Sequence, residues 1–361
     1  MARIAIVGAG TAGLAAAWSL RSLPVDVTVF EKSRGYAGRA ATRGRYGVRY
    51  DHGANFLRPD SGRVRSLVTE QLPAEDLVAI DGEVWTLDGD GRLHGPNGAS
   101  GADAETGSRP MWTYRDGIST IGKRLARAAS ATVHTQTRIA SLARASGGWM
   151  LRTEDGETAG PFAAVLLTPP APQTARLLRN SDEDLDDLCA GLDAAAYASQ
   201  FTVVLGYDRP VQRPGSCYGV RVTADDHPLA WMGFEEAKPG HVPDEQCVLI
   251  VQTAPAWTAQ RVDQDPDELM PEIKQTAAEA LNVNLSRPSW YDTQRWRYSL
   301  PVHGADGAKL KRGAAAGLFF AGDSVAGTGR IGASIESGLD AADRMKAALD
   351  EPPRPADPAS G

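Results

Sequence analysis

The sequence predicts an α/β fold into which a second region of α+β character is inserted. Three observations predict this. The first forty residues read as strand, glycine turn, helix and strand, which is the start of a parallel sheet. Between about 173 and 290, strand-like runs mix with charged helical runs in no such order. Near the C-terminus, an apolar run ending in Gly322-Asp323 and followed by a helical stretch completes the first unit.

The glycine turn has the spacing of a dinucleotide-binding fingerprint. The apolar run Ile4–Val7 leads into Gly8, which permits a tight turn, and Gly10, which lets the backbone approach a pyrophosphate. Gly13 lets the following helix lie close to the strand, and the helix N-terminus offers free N–H groups to phosphates. The predicted phosphate-side positions are Gly8, Gly10, Thr11, Ala12 and Gly13.

The second apolar run, Val25–Phe30, ends in Glu31, eighteen residues beyond Gly13. A carboxylate at the end of this strand is placed for the hydroxyl groups of a ribose, and it repels the 2′-phosphate of NADP. The unit therefore predicts a dinucleotide without that phosphate. A glycine-rich connection in another α/β fold is the structural alternative.

Composition excludes several classes of partner. A net charge of −7 over 361 residues disfavours nucleic acid and anionic membranes. The chain starts directly in a strand, and no apolar run approaches eighteen residues, so we expect a soluble cytoplasmic protein without a membrane partner. The cysteines, Cys189, Cys217 and Cys247, are far apart and predict buried free thiols. The six scattered histidines form no HExxH, so no metal site is expected.

The C-terminal block distinguishes between dinucleotides. The strand Gly317–Phe320 ends near Gly322-Asp323, whose carboxylate can meet a ribityl hydroxyl, and the following helix can point its N-terminus at a flavin ring. NAD has no ribityl chain, so these residues predict FAD. A second GxGxxG, Gly327–Gly332, is followed by only one helix and a Pro-rich tail, 351–361, which we expect to be disordered. Because no second strand can complete a βαβ unit, we interpret Arg330, Ile331 and Gly332 as the turn beside the flavin.

Two further stretches carry a family resemblance. Glu31–Arg39 resembles the ExxxxGGR element of the FAD-binding amine oxidase superfamily, with Ala37 in place of its first glycine. Asp51–Phe56 resembles the D-x-GA-[QN] segment that runs beside the isoalloxazine ring in that superfamily. The resemblance implies a Rossmann-like FAD-binding domain of the amine oxidase (GR2) type with non-covalent FAD. It also implies FAD contacts at Lys32, Gly38, Arg39, Ala54, Asn55, Phe56 and Ile139, in addition to Glu31, Gly322 and Asp323.

The expected domain organisation is discontinuous. We predict that residues 1–58, 111–170 and 291–350 form the FAD domain, and that 59–110 and 171–290 form the substrate domain. Turn signals at Asp88-Gly89 and Asp90-Gly91 predict a hairpin, followed by a loop at 95–107. Three predicted strands, at 132–142, 147–153 and 163–167, resemble the unit that covers the adenine end of FAD in the superfamily.

Several short stretches narrow the resemblance to renalase and its bacterial relatives: Tyr114–Leu125, Lys238-Pro239-Gly240, Val251–Trp257 and Arg295–Tyr298. This resemblance implies hydride transfer from a small molecule to flavin N5 and reoxidation by O2 to give hydrogen peroxide. The substrates it suggests are misreduced dihydro isomers of NAD(P). The candidate catalytic residues are His52, Trp231, Trp296, Arg297 and Tyr298, and Arg295 with Arg297 could hold phosphate.

Other interpretations stay open. The enzyme could be an amine oxidase or a desaturase acting on a secondary metabolite, with Lys238 as the lysine that holds water at N5, although its Lys-Pro-Gly context predicts a turn. Each tryptophan could be a core residue, and His52 a hydrogen-bonded structural histidine. The protein could also bind flavin without turnover. A Gly332 where the relatives carry an acid leaves the substrate pocket undetermined.

Overall fold

The computed structural model describes residues 1–96 and 110–350. Its centre is a parallel five-stranded sheet with the strand order β19-β13-β1-β2-β9. The strands are β1 (Ala2–Val7), β2 (Val25–Phe30), β9 (Thr132–His134), β13 (Ala164–Leu167) and β19 (Leu318–Phe320). Alternation of apolar side chains buries both faces, as a parallel sheet requires. The α/β class is confirmed.

Helices cover one face of this sheet. They are α1 (Thr11–Leu20), α3 (Thr120–Ala128) and α10 (Ile331–Asp350). The last helix crosses the first at Gly338, where a Cβ would lie 2.1 Å from the carbonyl oxygen of Ala12. Glycine at this crossing lets the C-terminal helix lie close against the predicted phosphate-binding helix.

The other face carries a small antiparallel sheet and two helices. The sheet joins β10 (Ile139–Ala145), β11 (Gly148–Thr153) and β12 (Thr158–Phe162), and the helices are α4 (Ala171–Arg179) and α5 (Asp186–Asp193). The predicted three-strand unit was wrong in its membership. Residues 164–167 form the parallel strand β13, paired with β1 and β19, and 132–142 divides between β9 and β10.

A seven-stranded mixed sheet, the large sheet, forms the second unit, with the order β18-β14-β17-β16-β15-β6-β7. Its strands are β6 (Glu83–Leu87), β7 (Leu93–His94), β14 (Ala196–Tyr207), β15 (Cys217–Val222), β16 (Leu229–Phe234), β17 (Cys247–Thr253) and β18 (Trp290–His303). The helix α7 (Pro266–Leu281) packs on one face, and the other face meets the first unit. The predicted hairpin is confirmed, because β6 pairs with β7.

Short elements connect the two units. The strands are β3 (Thr42–Arg45), β4 (Val48–Asp51), β5 (Leu77–Ala79) and β8 (Trp112–Tyr114). The helices are α2 (Gly62–Ser66), α6 (Pro255–Ala259), α8 (Gly307–Arg312) and α9 (Asp323–Ala326). A π turn covers Leu67–Gln71, and 3₁₀ turns cover Glu235–Ala237 and Gly313–Ala316.

The predicted domain boundaries stay a prediction, and two placements bear on them. The strand β18 pairs with β14 along the large sheet, so this sheet extends beyond residue 290. The helices α4 and α5 pack on the parallel sheet, although the predicted substrate domain includes them. Most of the predicted loop at 95–107 and the tail at 351–361 lie outside the described residues.

Two other sequence expectations can be compared with the structure. Cys189, Cys217 and Cys247 are free and buried, as predicted. Within residues 1–96 and 110–350, no helix combines the length and the apolar character needed to span a bilayer.

Candidate active site

The glycine turn after β1 has the geometry that its spacing predicts. The Gly8 N–H donates to the Phe30 carbonyl oxygen at 2.8 Å, and Gly8 adopts a φ of +102°. A Cβ on Gly13 would lie 2.1 Å from the Gly8 carbonyl oxygen, so helix and strand touch there. A Cβ on Gly10 would meet no atom within 4 Å, so there is open space over the N-terminus of α1. Free N–H groups beside open space fit a pyrophosphate.

The second loop folds over this turn. The Ala37 N–H donates to the Ala9 carbonyl oxygen at 2.8 Å, and Ala37 adopts a φ of +74°, in the region that favours glycine. The family glycine that Ala37 replaces therefore has a conformational reason. A Cβ on Gly38 would lie 3.5 Å from the Gly10 Cα, so the loop approaches the predicted phosphate site from the opposite side.

Glu31 is buried where the two loops meet. Its carboxylate accepts hydrogen bonds from the N–H groups of Ala9 and Ser33, both at 2.8 Å. Its carbonyl oxygen accepts from the Thr137 N–H at 2.8 Å, which brings the start of β10, with buried Ile139, close to the predicted adenosine position. Lys32, at the rim, donates to Gln173 at 2.8 Å.

Arg39 meets Asp323, the other predicted polar contact to the cofactor. The guanidinium Nη1 lies 2.5 Å from Asp323 Oδ2, and it also donates to the carbonyl oxygens of Tyr298 and Ser299 at 3.0 and 3.2 Å. Tyr197 donates its hydroxyl to the other Asp323 oxygen at 2.8 Å. Burial opposes the charge on Arg39, but the hydrogen bond and charge of Asp323 outweigh it and raise the pKa of Arg39.

The segment His52–Phe56 packs directly against Arg39. The Ala54 N–H donates to the Arg39 carbonyl oxygen at 2.9 Å, and a Cβ on Gly53 would lie 2.1 Å from that same oxygen. The close approach therefore requires glycine at position 53. It places the segment beside the loop that folds over the phosphate turn.

The large sheet holds the segment from the other side. Trp296 Nε1 donates to the His52 carbonyl oxygen at 3.1 Å, and Gln252 Nε2 donates to the Gly53 carbonyl oxygen at 2.8 Å. Asn55 Nδ2 donates to Gln252 Oε1 at 3.1 Å, and the Tyr218 hydroxyl donates to the Asn55 carbonyl oxygen at 3.2 Å. Four side-chain hydrogen bonds thus fix the segment on the sheet.

Two buried polar atoms in this segment find no hydrogen-bond partner among the described residues: Asn55 Oδ1 and His52 Nδ1. A buried acceptor left without a partner costs about 1–3 kcal/mol, so a ligand that supplies a polar group is favoured here. Burial, followed by the charge of Arg43, lowers the pKa of His52 to about 4, so its ring is neutral near pH 7. That ring stacks on Trp296 with centroids 5.4 Å apart.

The strands that hold the segment present one continuous surface to it, which we call the polar face. In the sheet, Gln200 lies opposite Trp296, Thr202 opposite Gln252, and Gln252 opposite Trp231, so these side chains share a face. The polar face is therefore built from uncharged amide, hydroxyl and indole groups.

Trp231 lies flat on the polar face. A Cβ on the neighbouring Gly219 would lie 2.4 Å from the indole ring, and a Cβ on Gly233 would lie 2.8 Å from it. The bare backbone of the two glycines makes room for the ring, which packs against Phe56 with centroids 6.0 Å apart. Trp231 and Phe56 thus border the same side of the segment.

The structure separates Arg295 and Arg297 from this surface. Arg295 lies opposite Phe201, whose ring belongs to the core under α7, and its guanidinium reaches the Gln264 carbonyl oxygen. Arg297 is exposed and pairs with Asp263 at 2.7 Å. The predicted phosphate-holding role gains no support from these positions. Tyr298 contacts Tyr197 at the Arg39–Asp323 end, with ring centroids 5.7 Å apart.

The C-terminal motif reaches the same region. Gly322 precedes α9 with a φ of +113°, and its N–H donates to Ser337 Oγ at 3.1 Å. The second GxGxxG forms the turn between α9 and α10, and no strand follows it in the described part of the chain. Gly332 lies at the start of α10, where a Cβ would be 3.2 Å from the Arg58 carbonyl oxygen. Arg330 pairs with Asp60 at the surface, and Ile331 is buried.

The sequence reasoning missed a cluster of buried charges behind this segment: Asp51, Glu235, Lys238 and His241. Lys238 Nζ lies 2.8 Å from Asp51 and 2.6 Å from Glu235, and all of its side chain is buried. It is therefore not a free amine facing a ligand. Asp51, Glu235 and His241 each have an atom of the kind that binds metal ions, and these atoms lie within 4.8 Å of one another. The Lys238 ammonium lies in contact with both carboxylates.

Two family models match this chain. A family model for flavin-containing amine oxidoreductases matches residues 99–346, and one for NAD(P)-binding Rossmann-like domains matches 6–70. Protoporphyrinogen oxidase 2 of Arabidopsis thaliana is 40% identical over 68 residues, which are 19% of this chain and 13% of the plant enzyme.

Solved structures resemble nearly the whole chain. A protein assigned as a protoporphyrinogen oxidase from Exiguobacterium sp. 255-15 superposes with a TM-score of 0.77 at 18% identity, covering 97% of this chain and 99% of the other. Cyclohexylamine oxidase from Brevibacterium oxydans IH-35A gives 0.73 at 13% identity, covering 97% and 100%. These similarities show a shared fold.

Proposed function

The chain belongs to the flavin-containing amine oxidoreductase family, and from this membership we propose that it is a renalase-like oxidase that takes hydride from a small molecule whose reacting ring is uncharged. Its cofactor is FAD, and the family makes it an oxidoreductase. The finer proposal is that a dihydropyridine, such as a misreduced isomer of NAD(P), is oxidised, and that O2 removes the electrons as hydrogen peroxide.

One observation carries this proposal: the segment expected beside the isoalloxazine rests on a face of uncharged side chains. Gln252 holds Gly53 and Asn55, and Trp296 and Trp231 flank them. A planar, uncharged ring fits such a surface, whereas a charged group placed there would lose hydration without gaining an ion pair. A dihydropyridine already supplies the electron push for hydride loss, so it needs positioning more than acid or base.

The roles of the chain's own residues follow from their contacts. Bound FAD supplies the hydride-accepting ring. The backbone at Gly8–Gly13 and the Arg39 side chain suit the diphosphate, and Asp323 suits the ribityl hydroxyls. Gln252 keeps the donor end of Asn55 occupied, so that Asn55 Oδ1 is presented as an acceptor. Trp231, Trp296 and Phe56 exclude water from this side of the segment.

A second candidate is oxidation of an amine, and His52 favours it. The unpartnered Nδ1 of the neutral His52 ring suits a hydrogen-bond acceptor for the N–H of an amine that binds as its free base, since a ring with a pKa of about 4 is too weak a base to deprotonate an ammonium. This candidate predicts that the rate of amine oxidation depends on His52, because that hydrogen bond positions the amine.

The test is the aerobic formation of hydrogen peroxide with each substrate class. The purified holoprotein is mixed with NADH, with the 2- and 6-dihydro isomers, and with primary and secondary amines, and both peroxide and product are measured. Formation of peroxide from the isomers, with ordinary NAD as the other product, supports the proposal. Peroxide formed with amines alone selects the second candidate, and none with any compound indicates a flavin-binding role without turnover.

A further inference from the structure

The buried cluster of Asp51, Glu235, Lys238 and His241, next to the segment His52–Phe56, joins the two units of the protein. Asp51 ends β4 and directly precedes His52. Glu235, Lys238 and His241 come from the connection between β16 and β17 in the large sheet. All four side chains are fully buried, which is costly for charges unless each is paired.

The hydrogen-bond partners of His241 indicate its protonation state. Its Nε2 lies 3.0 Å from the Tyr114 carbonyl oxygen, which can only accept, so Nε2 carries a hydrogen. Its Nδ1 lies 2.8 Å from a carboxylate oxygen of Glu235, which also accepts the Asp51 N–H at 3.1 Å. An ionised carboxylate only accepts, so Nδ1 carries a hydrogen as well. The ring is then an imidazolium, and the cluster holds two positive and two negative charges.

The environment of the ring agrees with this assignment. Burial opposes the charged form, but the hydrogen bond and charge of Glu235, aided by Asp51, outweigh burial and raise the pKa of His241. The charged groups facing His241 are Glu235 and Lys238 from its own connection and Asp51 from β4, while β8 contributes the Tyr114 carbonyl oxygen. The imidazolium therefore persists above the usual pKa of about 6.5.

Asp51 connects the cluster to the segment that is expected beside the flavin. Besides Lys238 Nζ, its carboxylate accepts from Thr42 Oγ1 at 2.6 Å and from the Ile118 N–H at 3.0 Å, which fixes the end of β4. The next residues are the segment His52–Phe56. A change in the charge of the cluster therefore acts three residues from Ala54, the first of the predicted flavin contacts in this segment.

We propose that His241 is a positioning residue for flavin reduction: as an imidazolium it fixes Glu235 and, through Lys238 and Asp51, holds His52–Phe56 in place, and its charge keeps the buried cluster electrically neutral beside the segment that is expected at the flavin. The proposal depends on FAD binding and not on which substrate is oxidised. It therefore extends beyond the proposed function and can fail independently of it.

The first test measures the flavin midpoint potential against pH in wild type and in His241→Gln, by slow enzymatic reduction with a viologen mediator and a reference dye. His94→Gln is the matched control, since His94 lies on the surface hairpin and bonds Asp88. We expect a lower potential in His241→Gln near pH 7, because a positive charge is lost, and a difference that closes as pH rises and the wild-type ring deprotonates. Coinciding potentials throughout would overturn the proposal.

A second measurement uses the wild type alone, so it does not depend on the folding of a variant. Protein labelled with ¹⁵N-histidine is examined by NMR as the pH is raised from 6 to 9. We expect one histidine to keep two protonated ring nitrogens, with hydrogens protected from exchange, to a higher pH than the other histidines. If no histidine keeps both hydrogens above the usual pKa of about 6.5, the assignment is overturned. A purely structural role for His241 would lower the Tm of the variant without producing a pH-dependent potential difference.

Discussion

Arg39 Nη1 lies 2.5 Å from Asp323 Oδ2, and this contact joins residues 284 positions apart in the chain. One residue follows the second strand of the parallel sheet and the other follows its last strand, so both lie at the carboxyl ends of strands. Ligands of open α/β sheets bind at that edge. The pair therefore marks where the diphosphate and ribityl parts of FAD are expected.

We expect Asp323→Asn to weaken FAD binding by about tenfold or more, because a charge-assisted hydrogen bond contributes about 1.5–3 kcal/mol. The measurement is titration of the apoprotein with FAD, followed by the recovery of flavin absorbance. Arg63→Lys is a suitable control, since Arg63 pairs with Asp340 and Asp343 on the surface. Equal FAD affinity in wild type and Asp323→Asn would remove Asp323 from the cofactor site.

Alanine substitutions at two glycines of the turn should differ in their effects on apoprotein stability and on FAD binding. Gly13→Ala should destabilise the apoprotein by about 1–3 kcal/mol, because its Cβ would overlap the Gly8 carbonyl oxygen. Gly10→Ala should change apoprotein stability by less than about 1 kcal/mol, since its Cβ enters open space at a helix N-cap. It should nevertheless lose FAD, because that space is the predicted pyrophosphate site. Urea unfolding and FAD titration of both variants distinguish these effects.

Lys238→Met should destabilise the protein by about 3–5 kcal/mol, because it leaves two buried carboxylates without their ammonium partner. A combined variant, Lys238→Met with Asp51→Asn and Glu235→Gln, should recover part of this loss. Urea unfolding at pH 7 measures both. If the single variant matched wild type, the charge pairing described here would be wrong.

The substrate side is tested by comparing Gln252→Leu with Arg297→Ala. The first should slow flavin reduction by about tenfold or more, since it releases Gly53 and Asn55 and a displacement near 1 Å can cost about a hundredfold. The second should leave both kcat and KM unchanged, because Arg297 is exposed on the other face of the sheet. A large rise in KM for Arg297→Ala would restore its phosphate-holding role.

The lowered pKa of His52 determines the direction in which the free energy of unfolding changes with pH. Its folded pKa is about 4, below the usual value of 6.5, so between these pH values the unfolded chain binds a proton that the folded protein does not. The contribution of His52 to the free energy of unfolding is therefore fully present above about pH 6.5. It falls by about 3 kcal/mol in total as the pH falls towards 4. In His52→Asn this part of the acid destabilisation should disappear. Urea unfolding between pH 4 and 7 compares the two proteins.

The local parts of the site were predictable from sequence. Gly8, Gly13 and Glu31 lie within one strand–turn–helix–strand unit, so their spacing alone constrains their geometry. The alternation of a strand also held information that the sequence reasoning did not use. Since Trp296 faces the first unit, its neighbours Arg295 and Arg297 must face the opposite way.

The buried cluster was not predictable in the same way. Asp51 and Glu235 are 184 residues apart, and the pairing of distant segments leaves no periodic signal in one sequence. The turn-like Lys238-Pro239-Gly240 correctly predicted a connection, but it concealed a buried ammonium. Likewise, 163–167 reads only as an apolar strand, and its position between β1 and β19 depends on tertiary pairing.

The proposed oxidation of dihydropyridines is tested most directly by rapid anaerobic mixing of the FAD-loaded protein with the 2- and 6-dihydro isomers of NAD(P), with ordinary NADH and with a panel of amines. The long-wavelength flavin absorbance reports the reduction. We expect fast bleaching by the misreduced isomers, slow or no bleaching by NADH, and ordinary NAD(P) as the product. Fast bleaching by amines alone, or by none of these compounds, would contradict the proposal.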